Sequence, residues 1–174
     1  MSISSLVRPA LAVLIFGLLA ACATTTVLEP QNRQASAGEA RIYILRPRAW
    51  SGSAVGATVK INGVEVGSLA NDSYMSVVRP AGRYTLNVNF PLGPLGLGAA
   101  EHTFNASAGQ THYFAVNMRD ATIAAASGGV FMAVPIPGSA VGQQVGRSDF
   151  LSQTYLSEVD AGTAAAAIAA MRAR

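Results

Sequence analysis

The chain has 174 residues, 51% hydrophobic and 12% charged, which supplies one packed domain and too little charge for a solvated, disordered chain. Twelve basic and nine acidic side chains leave a formal charge of +3, too weak and too dispersed for a nucleic-acid footprint, so no nucleic acid is expected as a partner. One cysteine and two histidines exclude a disulfide framework and a cysteine-rich metal site, and no cofactor or metal is expected.

Residues 1–21 read as a secretory signal. Arg8 supplies positive charge, Pro9 to Ala20 is apolar, and the run ends in small residues. It falls short of the roughly 20 apolar residues that a bilayer-spanning helix needs. Cys22 follows at once, and Leu19-Ala20-Ala21-Cys22 resembles the lipobox of bacterial lipoproteins. That resemblance implies cleavage between Ala21 and Cys22, a diacylglyceryl group on the Cys22 sulfur and acylation of the new amine. Ala23, where Asp would signal otherwise, resembles the outer-membrane sorting pattern. The expected partner is therefore the lipid bilayer, reached through acylated Cys22. The expected place is the bacterial cell envelope, on the periplasmic face of the outer membrane. Two or more acyl chains, at about 0.8 kcal/mol per buried methylene, make such an anchor stable. The competing readings are a secreted protein with a chance cysteine and an uncleaved anchor. Residues 22–38 show no apolar period and are expected as a flexible tether of roughly 23 Å root-mean-square span.

From residue 39 short apolar runs alternate with turn signals about every ten residues, the pattern of an all-β sandwich. Arg41 to Arg46 reads as the first strand, stopped by Pro47. Asn62-Gly63 is the preferred pair for a type I′ hairpin. Counting outward sets Ile61 against Val64, Lys60 against Glu65 and Val59 against Val66, with the four apolar residues on one face. Pro80-Ala81-Gly82 turns the chain into Arg83 to Phe90, where Tyr84, Leu86, Val88 and Phe90 alternate inward. Glu101 to Asn105 is a further strand, and Ser107 to Gln110 turns it into Thr111 to Met118, with Phe114, Val116 and Met118 on one face. Asp160 can cap a helix from Ala161 to about Ala173, although Ser157-Glu158-Val159-Asp160 also fits a capping box. Its apolar stripe is thin, mainly Ile168 and Met171, with Arg172 and Arg174 placed to suit the helix dipole. The expected division is signal 1–21, acylated Cys22 and tether 22–38, β-sandwich 39–159 and helix 160–174.

The ordered series Arg41-Ile42-Tyr43, Arg46-Pro47, Val59-x-Ile61-Asn62-Gly63-x-x-Val66-Gly67-x-Leu69-x-Asn71, Tyr74, Pro80-x-Gly82-x-Tyr84-x-Leu86 and Ala108-Gly109-Gln110-Thr111-x-Tyr113 resembles a family of bacterial lipoproteins. These share a small domain of unknown function, number 2846 in that series, and the likeness covers residues 39–118. The Val-x-Ile-Asn-Gly and Pro-x-Gly-x-Tyr pieces are also similar to surface-layer and carboxypeptidase-regulatory-like modules. The resemblance implies a small antiparallel sandwich, immunoglobulin-like or carboxypeptidase-regulatory-like, and carries no activity or catalytic residue. Ala81 departs from the family's direct Pro-Gly turn.

The site candidates are few. His102 and His112 could approach each other if the Phe104 and Phe114 faces coincide, but neither Glu101 nor Asp120 comes at a metal-ligand spacing. Structural or surface histidines are the plainer reading, and a weak hydrolase the bolder one. Gly52-Ser53-Ala54-Val55-Gly56, repeated as Gly138 to Gly142, has the wrong spacing for a nucleophile elbow. Between Asp120 and Arg147 the chain carries no charge, and it contains Phe131 and Met132. This stretch is either loop and strand over the sandwich, an apolar patch meeting a partner or the lipid, or a membrane span. Gly128-Gly129 and Pro135-Ile136-Pro137 argue against one helix through it, whereas Gly138, Gly142 and Gly146 have the four-residue spacing of close helix packing. Trp50 with Arg46 and Arg48 could form a cationic-aromatic recognition spot, against the plainer reading of a half-buried loop Trp. The expected function is a non-catalytic binding or scaffolding module with an envelope protein partner or self-association. The alternative is a protein that interacts with membranes or oligomerises through residues 121–146.

Overall fold

The computed structural model describes residues 24–49, 52–91, 98–118, 121–125, 131–135, 142–148 and 152–173. Ala21, Cys22 and Trp50 lie outside them. The described strands are β1 (Thr26–Val27), β2 (Glu39–Arg46), β3 (Ala57–Ile61), β4 (Val64–Leu69), β5 (Ser73–Pro80), β6 (Gly82–Asn89), β7 (Ala99–Ala106), β8 (Thr111–Met118), β9 (Ala121–Ala125), β10 (Phe131–Pro135), β11 (Gln143–Val145), β12 (Arg147–Ser148), β13 (Thr154–Glu158) and β14 (Arg172–Ala173). One helix, α1 (Ala161–Ala170), precedes β14.

Period-two alternation on β2, β3, β6 and β8 builds two apolar faces that close on each other. One sheet runs β1-β4-β3-β6-β7-β12 and the other β11-β13-β8-β2-β5-β14. Ile42, Ile44, Met75, Val77, Phe114 and Val116 of the second sheet meet Val59, Ile61, Val66, Leu69, Leu86, Val88 and Phe90 of the first in one buried core. The fold is a mainly β sandwich with one C-terminal helix, as the sequence pattern predicts. The second sheet is mixed, not purely antiparallel, because β2 pairs β8 in parallel. Sheet-crossing connections separate those two strands in sequence, so a tight hairpin need not join them.

At the Asn62-Gly63 turn both residues have positive φ, 50° and 78°, as type I′ requires. Ile61 pairs Val64 and Lys60 pairs Glu65, but a register shift between Val59 and Lys60 sets Val59 against Gly67 instead of Val66. Val59, Ile61 and Val66 of the expected face are buried, while Val64, paired with Ile61 at the hairpin tip, is 67% exposed. Pro80-Ala81-Gly82 is not a hairpin turn. It carries the chain from one sheet to the other, and the Tyr84 hydroxyl donates to the Pro80 carbonyl at 2.9 Å. That hydrogen bond makes the Pro-x-Gly-x-Tyr piece a tyrosine corner.

Two expectations near the C-terminus change. Ser157 and Glu158 belong to β13, so the capping-box start falls away and Asp160 alone caps α1, accepting from the Thr163 amide at 2.9 Å. The helix stops at Ala170, and Arg172 lies in β14 beside Ser73. Only Ala164 of α1 is buried, against Ala115 and Val159 on the outer face of the second sheet, so the helix is lightly packed. Gly142 and Gly146 flank strand β11 and do not line a helix. Both have positive φ, and a Cβ on them would sit 2.4 Å from the Glu158 carbonyl and 2.1 Å from the Glu101 carbonyl.

The stretch expected as a free tether is docked from Thr25 onward. The Thr25 hydroxyl donates to Ser73 Oγ at 2.7 Å and accepts from the Ala70 amide at 3.0 Å. β1 then pairs β4, with Thr26 opposite Ser68. Gln31 next pairs with β5 as a strand would. Its Nε2 donates to the Ser76 carbonyl at 2.8 Å, and its Oε1 accepts from the Ser76 amide at 2.7 Å. Glu29 pairs with Arg79, and Arg33 with Glu39. These contacts cap edges of both sheets that would otherwise present unpaired backbone.

Candidate functional site

Arg46 sits at the end of β2, on the face it shares with Ile42 and Ile44. Alternation therefore aims its guanidinium into the sandwich, and it is 0% exposed. Nη1 donates to the carbonyls of Val55 at 2.6 Å and Leu69 at 2.7 Å, and Nη2 to that of Gly52 at 2.7 Å. Its carbon Cζ lies 4.8 Å from the centre of the Phe90 ring. Burial pulls its pKa down to about 10, so it remains a cation at neutral pH. Of the expected recognition spot, Trp50 lies outside the described residues and Arg46 offers no charge to solvent: three carbonyls take its Nη groups, Phe90 lies against it, and its Nε is buried without a partner. Its work is to hold the connection between β2 and β3. Asn71 fastens the same connection, accepting from the Ala49 amide and donating to its carbonyl, each at 2.9 Å. Arg48 is exposed on it.

The two histidines lie between the sheets with Phe104 and Phe114. The faces coincide as the alternation allows, yet the imidazoles do not form a pair. Phe104 and Phe114 make the shortest contact of the quartet, 4.6 Å between centroids. His102 lies 5.6 Å from Phe114, and His112 lies 5.5 Å from Phe104, so the histidines occupy the far corners. Desolvation lowers the His102 pKa, and the charge of Glu158 opposes that shift. His112 Nε2 is buried without a hydrogen-bond partner. Among the described residues no three His, Cys, Asp or Glu side chains could hold a metal ion together.

Two surface features were not expected. Tyr113, Tyr43 and Tyr74 stand side by side across β8, β2 and β5, with centroids 5.3 and 6.2 Å apart, and Arg41 lies over Tyr43. The parallel pairing of β2 and β8 sets Tyr43 directly beside Tyr113, and that pairing has no local sequence signal. On the other sheet Asn87, Glu101, Arg147 and Ser148 line a shallow cleft of about 280 Å³. Arg147 faces Glu101 there at 3.7 Å and is 89% exposed, so the pair is worth little. Phe131 and Met132 lie on β10, opposite Ala125 and Ala124 of β9. The β9–β10 hairpin is a sheet of its own and joins neither large sheet. Among the described residues no helix is long and apolar enough to cross a membrane.

The model of the family described as "Protein of unknown function (DUF2846)" matches residues 36–130. The chain belongs to this family. The DUF2846 match takes in the tyrosine corner, the Arg46 site and both histidines, and it ends before β10. No curated protein and no solved structure matches the chain. The family's description names no reaction or ligand.

Proposed function

We propose that this DUF2846 protein is an outer-membrane-anchored lipoprotein whose sandwich serves as a non-catalytic binding or scaffolding module of the bacterial envelope. One observation carries the reading: Leu19-Ala20-Ala21-Cys22 closes an apolar run and holds the chain's only cysteine. A thioether at Cys22 also accounts for a lone cysteine in an oxidising compartment. The separation of His102 from His112 by two phenyl rings favours a structural role for both over a hydrolase. The test is metabolic labelling with radioactive palmitate. Label should enter the mature chain and vanish in Cys22→Ser, and a mature chain that begins elsewhere or stays unlabelled ends the proposal. Crosslinking of the acylated protein in its own envelope would then identify an envelope partner or a second copy.

A second reading is membrane interaction or self-association through residues 121–146. The separateness of the β9–β10 hairpin and the lack of charge between Asp120 and Arg147 favour it. Deleting residues 121–135 should change oligomeric state or membrane association, and no change in either would remove it.

A further inference from the structure

The strap formed by residues 25–38 runs the whole length of the sandwich. It starts where Thr25 meets Ala70 and Ser73, passes Ser76 at Gln31, and ends at Gly38, whose carbonyl accepts from the Ala81 amide. We propose that this strap fixes the orientation of the domain on the bilayer: the end holding Ala49, Ala70 and Met118 faces the lipid, and the end holding Ala81 and Ala108 points away. The inference rests on the acylation of Cys22 proposed above and adds a direction to it.

The argument is one of reach. Thr25 is the first residue pinned to the domain, and three peptide steps from Cys22 to Thr25 span at most about 11 Å. A free tether would instead make Glu39 the first fixed residue. Glu39 lies opposite Pro80, so such a tether would hang the domain by its other end, at roughly 23 Å from the anchor. Docking the strap therefore reverses which end meets the membrane. A second observation points the same way. β2 and β8 are parallel, so β8 ends at Met118 on the Arg46 side, two charged residues before the uncharged stretch begins. The surface it would meet is the bilayer that holds the acyl chains.

Acylation consumes the only native thiol, so one introduced cysteine can be labelled alone. Arg48→Cys and Ala108→Cys, each in the acylated full chain, would carry a donor fluorophore. The vesicles would be phosphatidylethanolamine and phosphatidylglycerol with an acceptor on a lipid headgroup. The ends lie about 23 Å apart along β5, so energy transfer should be several-fold greater from position 48 than from position 108. Equal or reversed transfer overturns the orientation and leaves the lipoprotein reading standing. Replacing Thr25, Glu29 and Gln31 together by Ala should shrink or reverse the contrast, and an unchanged contrast would show that the strap does not set it. Cys22→Ser should leave the vesicles. If it stays bound, attachment does not depend on Cys22 and the orientation argued from its reach fails, while palmitate labelling decides the acylation separately.

Discussion

Arg46→Ala tests the account of the β2–β3 connection most directly. Three carbonyls, of Gly52, Val55 and Leu69, depend on one buried guanidinium. A hydrogen bond from a charged donor contributes about 1.5–3 kcal/mol, so the three together come to roughly 4–9 kcal/mol. Against this stands the desolvation that lowers the pKa to about 10, a cost of about 3 kcal/mol. The alanine variant removes both effects, takes the guanidinium from the three carbonyls, of which Gly52 keeps the Val55 amide at 3.0 Å, and opens a void beside Phe90. The net loss should be about 3 kcal/mol. In urea unfolding, with a slope of about 1.5 kcal/mol/M, the midpoint should fall by about 2 M. Arg46→Lys should recover part of the loss, because one ammonium cannot serve three carbonyls and stack on a ring. Arg48→Ala, on the same connection but exposed, should stay within about 0.5 kcal/mol of the parent. If Arg46→Ala unfolds at the same midpoint as Arg48→Ala, the guanidinium does not organise this end of the sandwich.

Tyr84→Phe should cost about 1 kcal/mol by removing the bond to the Pro80 carbonyl, read as a lower urea midpoint with the fold retained by circular dichroism. Asp160→Ala should cost about 1 kcal/mol of helix stability, with Asp160→Asn close to neutral, and amide exchange over α1 would report both. Burial lowers the His102 pKa below its usual 6.5, so the unfolded chain binds this proton more readily. Stability from this group is therefore present above about pH 6.5 and is lost as pH falls through the lowered folded value. His102→Gln should flatten that part of the urea midpoint profile, and an identical slope in the variant would refute the assignment.

Much of the sandwich is legible in the chain because its signals are local. The Asn62-Gly63 pair, the alternation from Tyr84 to Phe90 and the Asp160 cap each act within a few residues. Arg46 was legible too, since it continues the alternation of Ile42 and Ile44, but its charge suggested a surface role. What was not legible depends on distant neighbours. The register shift between Val59 and Lys60 sets Val59 against Gly67, where the Thr26 carbonyl comes within 2.3 Å of where a Cβ would be. No pattern within β4 announces that approach. β13 has no clean period-two signal, because Thr154, Leu156 and Ser157 are all buried while Glu158 is exposed.

By itself the sequence determined the class of the domain: period-two burial builds two sheets, and two apolar faces must close on each other. It also carries Leu19-Ala20-Ala21-Cys22, whose resemblance to a lipobox is a local chemical pattern and needs no fold. Only the tertiary structure decided what residues 25–38 do. Polar residues such as Thr25 and Gln31 show no apolar period, yet open sheet edges turn their side chains into partners for backbone groups. An edge exists only after the sheets have formed, so no reading of the strap residues alone could have found it.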